Sequence, residues 1–269
     1  MKAFISIDME GITGVTNWDD VERKTLAYER FRKVMTAEAS AATEGALMGD
    51  AKEILVNDSH GGMRNVLIEE LHPRAELISG SLKPLKMMCG VDSGIDVAFL
   101  VGYHAKAGTP HAILDHTWSS SRIYALYLNG QELGEIGLSA ALAGHFGVPV
   151  ALVVGDKAAT EEARALLGPN LKTVAVKESY SRESTRSLSL ERSLAMIRGA
   201  AKSAMEGPHP DPFIIEPPIT VGIDFMTSRQ AHAAAIVPGS RLVGGRRVEW
   251  TGRDMVEALG GMVAMVNLA

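Results

Sequence analysis

The chain has 269 residues, 46% of them hydrophobic and 22% charged, with a net charge of -5. That length suits one large α/β domain, or a domain with a smaller appendage, and the acidic balance argues against a nucleic-acid partner, which calls for a basic face. No apolar run reaches the roughly 18 residues that span a bilayer, no signal-peptide pattern precedes the first strand, and the single Cys89 excludes an internal disulfide and fits a reducing compartment, the cytoplasm.

Short apolar runs then alternate with helical patterns along the chain. Strands are predicted at AFISI (3–7), EILVND (53–58), AELISG (75–80), DVAFLVGYH (96–104), VPVALVVGD (148–156) and KTVAVKES (172–179). Helices are predicted near Tyr28–Met48, Asn65–His72, Glu135–Phe146, Ala158–Leu167 and Leu188–Met205. This alternation implies βαβ units, and hence an α/β fold: a mostly parallel sheet with helices on both faces. RIYALYLNGQEL (122–133) departs from it, because Asn129-Gly130 is a hairpin-turn signal and the piece should pair antiparallel, at an edge or in an extension. In GPHPDPFIIEPP (207–218) five prolines fall within twelve residues, which reads as a connector. A strand, a short Ala-rich helix, a second hairpin-like segment and a last helix follow it. The expected organisation is a domain over 1–207 and a small C-terminal α+β unit over 208–269.

Ligands of parallel α/β sheets bind outside the carboxyl ends of the strands, so the residues there carry the functional argument. The first strand ends in Asp8 and Glu10, whose i, i+2 spacing puts both carboxylates on one side of an extended chain. The second runs out into Asp58, Ser59 and His60, and the strand DVAFLVGYH ends on His104. Singly, each residue has an ordinary role: Asp8 can cap a turn with Gly11, Asp58 and Ser59 favour helix caps, and a histidine beside Gly61-Gly62 suits any loop. Together they deliver Asp, Glu and two His to one edge. Clustered carboxylates repel unless a cation sits among them, and a carboxylate–imidazole set without thiolates suits Zn²⁺, Mn²⁺ or Fe²⁺. With more than four donors, a two-metal site with a bridging carboxylate fits, able to activate a water and polarise a carbonyl.

Two further residues extend the set. Glu135 opens a helix, where a carboxylate is favoured in any case, and His116 lies in a polar loop with His111, Asp115 and Thr117, a plausible general acid/base. No GxGxxG, phosphate loop, HExxH helix or GxSxG elbow is present.

SIDMEG, VNDSHGGMRN, LISGSLKPLKMM, FLVGYHAKAGTP, DHTWS and GEIGLSAALAG together resemble the zinc-dependent D-aminopeptidases that bacteria encode with dipeptide-transport genes; VPVALVVGD and TVAVKES extend the likeness over most of the chain. The resemblance implies a dinuclear zinc peptidase that releases N-terminal D-amino acids, such as D-Ala, from short peptides. It implies Asp8, Glu10, His60, His104 and Glu135 as ligands, with Asp8 bridging two Zn²⁺ ions, and His116 as the catalytic histidine. It also implies a homo-oligomer, a ring of ten subunits. The stretch between His104 and His116 is one residue longer than the family's pattern. Two other readings share these residues. One is a metallohydrolase acting on L-peptides or other small amides, which paired D- and L-substrates would separate. The other is a binding protein with a structural metal, disfavoured because structural zinc sites are rich in thiolates.

Overall fold

The computed structural model describes residues 1–269. Strand β1 (Lys2–Ile7) is buried on both sides, its odd-numbered residues entering one core and Phe4 another, as the two-residue period requires. Helix α1 (Leu26–Met48), capped by the Thr25 hydroxyl accepting from the Tyr28 amide, crosses back to β2 (Glu53–Asp58) and then β3 (Ala75–Ile78). β4 (Val97–Tyr103) follows, then a hairpin of β5 (Ile123–Leu128) and β6 (Gln131–Leu133), turned at Asn129-Gly130 with both residues at positive φ. Helix α2 (Glu135–His145), β7 (Val150–Asp156), α3 (Lys157–Leu167), β8 (Lys172–Ser181), β9 (Ser184–Ser187) and α4 (Leu190–Glu206) complete the larger layer. The tail adds β10 (Ile219–Phe225), α5 (Ser228–Ala234), β11 (Arg241–Leu242), β12 (Arg247–Gly252) and α6 (Met255–Leu268).

The larger sheet has seven strands in the order β3-β2-β1-β4-β7-β8-β9, parallel except for β9. Helices α1 and α4 cover one face around Met35, Ala39, Ile197 and Ala201. Helices α2 and α3 cover the other, in a core shared with the tail. The strand order runs outward from β1 in both directions, so the crevice between the ends of β1 and β4 is the switch point where α/β ligands bind. No helix is long and apolar enough to cross a membrane.

The smaller sheet has the order β11-β12-β10-β5-β6 and is antiparallel. The 122–133 hairpin thus joins the tail's sheet through β5–β10 pairing, so the small unit draws on two separate stretches of chain rather than on 208–269 alone. Leu126, Leu128, Val221, Ile223 and Val248 bury its inner face against α6.

The helix expected over Asn65–His72 is not formed. Four of its amide hydrogens are taken by side chains: Asn65 and Val66 donate to the Asp58 carboxylate, Leu67 to the Thr36 hydroxyl and His72 to the Ser40 hydroxyl. Pro73 then closes the segment. The short antiparallel β9 was not anticipated, because its STRS sequence is polar and exposed and shows no apolar alternation.

Candidate metal centre

The turn after β1 is drawn tightly onto the end of β4. The Asp8 amide donates to the Val101 carbonyl and the Gly11 amide to the Gly102 carbonyl, both at 2.8 Å. Side chains are barred from this contact: a Cβ on Gly11 would lie 1.9 Å from the Tyr103 carbonyl oxygen, and Gly102 has φ +70 with Asp8 oxygen 2.2 Å from its own would-be Cβ. From the far side, the buried Lys177 of β8 donates to the carbonyls of Glu10, Ile12 and Val15 at 2.6, 2.7 and 2.9 Å. Burial pulls this ammonium down to about 8, yet it is fully hydrogen-bonded, which is what a buried charge needs.

The other donors are fixed as firmly. After β2, the Asp58 carboxylate caps Asn65 and Val66, and the Asn65 amide group donates to the His60 carbonyl at 2.7 Å. His104 follows β4 directly. Glu135 is the first residue of α2, whose N-terminal dipole favours a carboxylate, and it accepts from the Trp118 amide at 2.6 Å. His116 sits in a loop where His111, Leu114 and Trp118 all have positive φ, at 52°, 43° and 62°. Such strain in non-glycine residues persists only where the surroundings over-determine it, and it gathers at functional sites.

These six side chains converge. His60 Nδ1 lies 3.3 Å from Asp8 Oδ1 and 3.0 Å from Glu10 Oε2. His104 Nε2 lies 3.7 Å from Asp8 Oδ2 and 3.3 Å from Glu135 Oε1. His116 Nε2 is 3.9 Å from Glu10 Oε1 and 3.7 Å from Glu135 Oε1. Asp8 therefore faces one histidine with each oxygen. Donor atoms of Asp8, Glu10 and His104 lie within 4.8 Å of one another, as do those of His104, His116 and Glu135.

Each imidazole has its outer nitrogen occupied by a backbone carbonyl: His60 Nε2 by Val21 at 2.9 Å, His104 Nδ1 by Ala105 at 3.0 Å, His116 Nδ1 by Leu114 at 2.8 Å. With those nitrogens donating, the inner nitrogens present lone pairs to the cluster, the outer-shell arrangement of metal-binding histidines. Two buried atoms at its heart, Asp8 Oδ2 and His104 Nε2, have no hydrogen-bond partner. An orphaned carboxylate oxygen facing an orphaned imidazole nitrogen is costly in a protein interior. A divalent cation satisfies both, so the residues present fit a metal.

The protonation pattern points the same way. Burial and the Glu10 charge push Asp8 up to about 7. Burial opposes charge on His60 and His104, but the surrounding carboxylates outweigh it and hold both imidazoles well above their ordinary value. Burial also works against Glu10 and Glu135, whose histidine neighbours nonetheless keep them below the usual carboxylate range. Protons and a metal thus compete for the same lone pairs. His116 is the exception. Burial and the charge of His104, stacked on it with ring centroids 4.1 Å apart, lower its affinity for a proton.

A cavity of about 310 Å³ opens beside the cluster, and Glu10, His60, His116, Trp118, Lys86 and Met87 are among the residues that line it. All six residues singled out from the sequence lie at this one site. His111 does not: its ring is exposed and turns to the Tyr180 carbonyl at 3.1 Å. Sequence reasoning passed over Lys177, because a lone lysine in an alternating strand reads as solvent-facing. It also missed the Trp118 amide, since backbone donors leave no sequence signal.

Known proteins resemble this chain over its whole length. The family model described as Peptidase_M55, D-aminopeptidase, matches residues 1–264. A D-aminopeptidase of Bacillus subtilis (strain 168) is 37% identical over 271 residues, spanning 100% of this chain and 98% of the relative. The solved structure of the Zn-dependent D-aminopeptidase DppA from Bacillus subtilis, described as a self-compartmentalizing protease, superposes with a TM-score of 0.96 at 36% identity, over 100% of this chain and 97% of that one.

Proposed function

The chain belongs to the D-aminopeptidase family of metallopeptidases, and on that premise we propose a zinc aminopeptidase that releases N-terminal D-amino acids from short peptides. The observation that carries this reading is the pair of orphaned atoms, Asp8 Oδ2 and His104 Nε2, inside a shell of four further donor side chains, Glu10, His60, His116 and Glu135. Two Zn²⁺ per subunit would be held by Asp8, Glu10, His60, His104 and Glu135. Asp8 would be the ligand shared between them, a role supported by its two oxygens facing His60 and His104 respectively. When bound, zinc supplies Lewis acidity that lowers the pKa of water and stabilises charge on a carbonyl oxygen.

The chain's own residues do the rest. His116 Nε2 is the free proton acceptor of the site: its Nδ1 is committed to Leu114, and its lowered proton affinity keeps it neutral near pH 7. It takes a proton from the attacking water and returns it to the departing amine, as general acid/base chemistry requires. Trp18, edge-on to the ring at 5.3 Å, and the stacked His104 hold its plane. With zinc bound at these residues, the substrate's amino terminus and first carbonyl would be received at the metals, which selects exopeptidase over endopeptidase cleavage.

Because the relative is described as a self-compartmentalizing protease, we extend the proposal to a closed homo-oligomer, a ring of ten subunits. The lone Cys89 supports a cytoplasmic setting for it. Zinc analysis of the purified protein, paired with hydrolysis of D-alanine amide and L-alanine amide, tests the reading. Two zinc per subunit and turnover confined to the D-amide are expected. Preference for the L-amide, or turnover indifferent to zinc removal, would overturn it.

A further inference from the structure

The cavity that holds the metal cluster is also lined by a cation that the chain leaves without a partner. Residues 83–88 carry two lysines, and only the second lines the cavity. Lys83 is buried and committed, donating to Asn57 Oδ1, the Asp58 carbonyl and the Ile78 carbonyl at 2.7, 2.6 and 3.2 Å. Lys86, three residues on, is half-buried on the cavity wall, and its ammonium enters no ion pair and no hydrogen bond of the chain. The three acids of the cavity are engaged with histidines across the site, so none of them neutralises it.

Lys86 is also held there against its backbone preference. It has φ +50, a left-handed conformation that disfavours side chains with a Cβ. The neighbouring backbone is what imposes it: the Met87 carbonyl accepts from Ser6 Oγ, Asn57 Nδ2 and Ser59 Oγ at 2.7, 2.7 and 3.1 Å. Those three residues belong to the ends of β1 and β2, the strands that deliver Asp8, Glu10 and His60. The wall bearing the free cation and the wall bearing the metal donors are therefore built from one polar network.

We propose that Lys86 anchors the free C-terminal carboxylate of the substrate, so that the enzyme selects dipeptides and peptides of similar length. This rests on the aminopeptidase reading, which places the substrate's amino terminus at the metals. An unpaired ammonium lining the same small cavity calls for an anion. In a short peptide the one obligatory anion is the terminal carboxylate, at the opposite end from the amine. The cavity, about 310 Å³, lies at the lower end of the size of small-molecule sites, which suits a dipeptide and leaves little room for a longer chain between the two anchors.

The test compares the zinc-loaded enzyme on D-alanyl-D-alanine, its C-terminal amide, and D-alanine amide. Wild type should prefer the free dipeptide over its amide by about 10-fold or more in kcat/KM, the scale of one charge-assisted contact. Lys86→Met should erase that preference through a raised KM for the free dipeptide, with kcat little changed and D-alanine amide untouched. Lys86→Arg should restore part of it. Wild-type indifference to amidation, or an equal loss on D-alanine amide in Lys86→Met, would overturn the anchor, the latter by showing that the cation serves the scissile carbonyl. A wild type inert towards all three compounds would instead bring down the aminopeptidase reading and the anchor together.

Discussion

At the carboxyl edge of the seven-stranded sheet, three carboxylates and two imidazoles are buried beside a third, half-buried imidazole, and two of their atoms have no protein partner. On the five-stranded sheet the charges are arranged differently. Arg247 grips both oxygens of Asp224 at 2.7 and 2.6 Å, and Arg241 meets Glu249 at 2.9 Å on the water side. Every charge in these pairs is matched and hydrated, at modest cost and for modest gain. The first arrangement is unstable in itself and makes sense only around a ligand, whereas the second is complete without one. Burial combined with incomplete pairing, rather than the number of charges, is what separates a site from a solvated surface here.

The sharpest way to break this contrast is at Asp8. Asp8→Ala should lower both zinc content and turnover, the latter by about 1,000-fold or more; two zinc retained per subunit would refute a bridging role. His116→Ala comes next, with zinc retained and kcat reduced by about 10²–10⁴-fold. Unchanged turnover in that variant would remove His116 from the chemistry. A smaller effect should appear in zinc affinity against pH. His60 and His104 are held above the ordinary imidazole value, so protons occupy the metal-facing nitrogens until the pH rises past those raised values. Affinity measured by chelator competition should therefore weaken steadily from pH 8 to pH 6, with protons released on loading; a flat profile would break the argument. Least of all should Arg241→Met matter. Its exposed pair with Glu249 is worth less than about 1 kcal/mol, and urea denaturation should register a change within that limit, with turnover unaltered.

Much of this site was legible because strand ends can be read from periodicity. Asp8, Glu10, His60 and His104 each follow an apolar run of strand length, and the parallel-sheet rule places such residues on one edge. His116 and Glu135 were harder: a loop histidine and a helix-opening glutamate are common, and it was the family resemblance that gave them roles. The failures share a cause. The NVLIEELH pattern has helical spacing, but its amides are captured by Asp58, Thr36 and Ser40, side chains up to 32 positions distant. Likewise the 122–133 hairpin announced its turn but not its partner, β10, which lies beyond the proline-rich connector. Local pattern shows what a segment can form, while long-range partners decide what it does form.

The clamp made by Lys177 bears on the order in which the molecule is assembled. Asp8 and Glu10 are made long before the ammonium that closes the turn aiming them, which lies 167 positions after Glu10. A nascent chain ending before β8 carries every donor of the site and lacks the part that holds their turn in place. Capture of zinc by these donors should therefore follow the laying of β8 against β7, a prediction that stopped-flow refolding with a zinc indicator checks. A zinc ion taken up during refolding marks a late step, and the rate of its uptake reports the docking of β8 rather than the appearance of the ligands themselves.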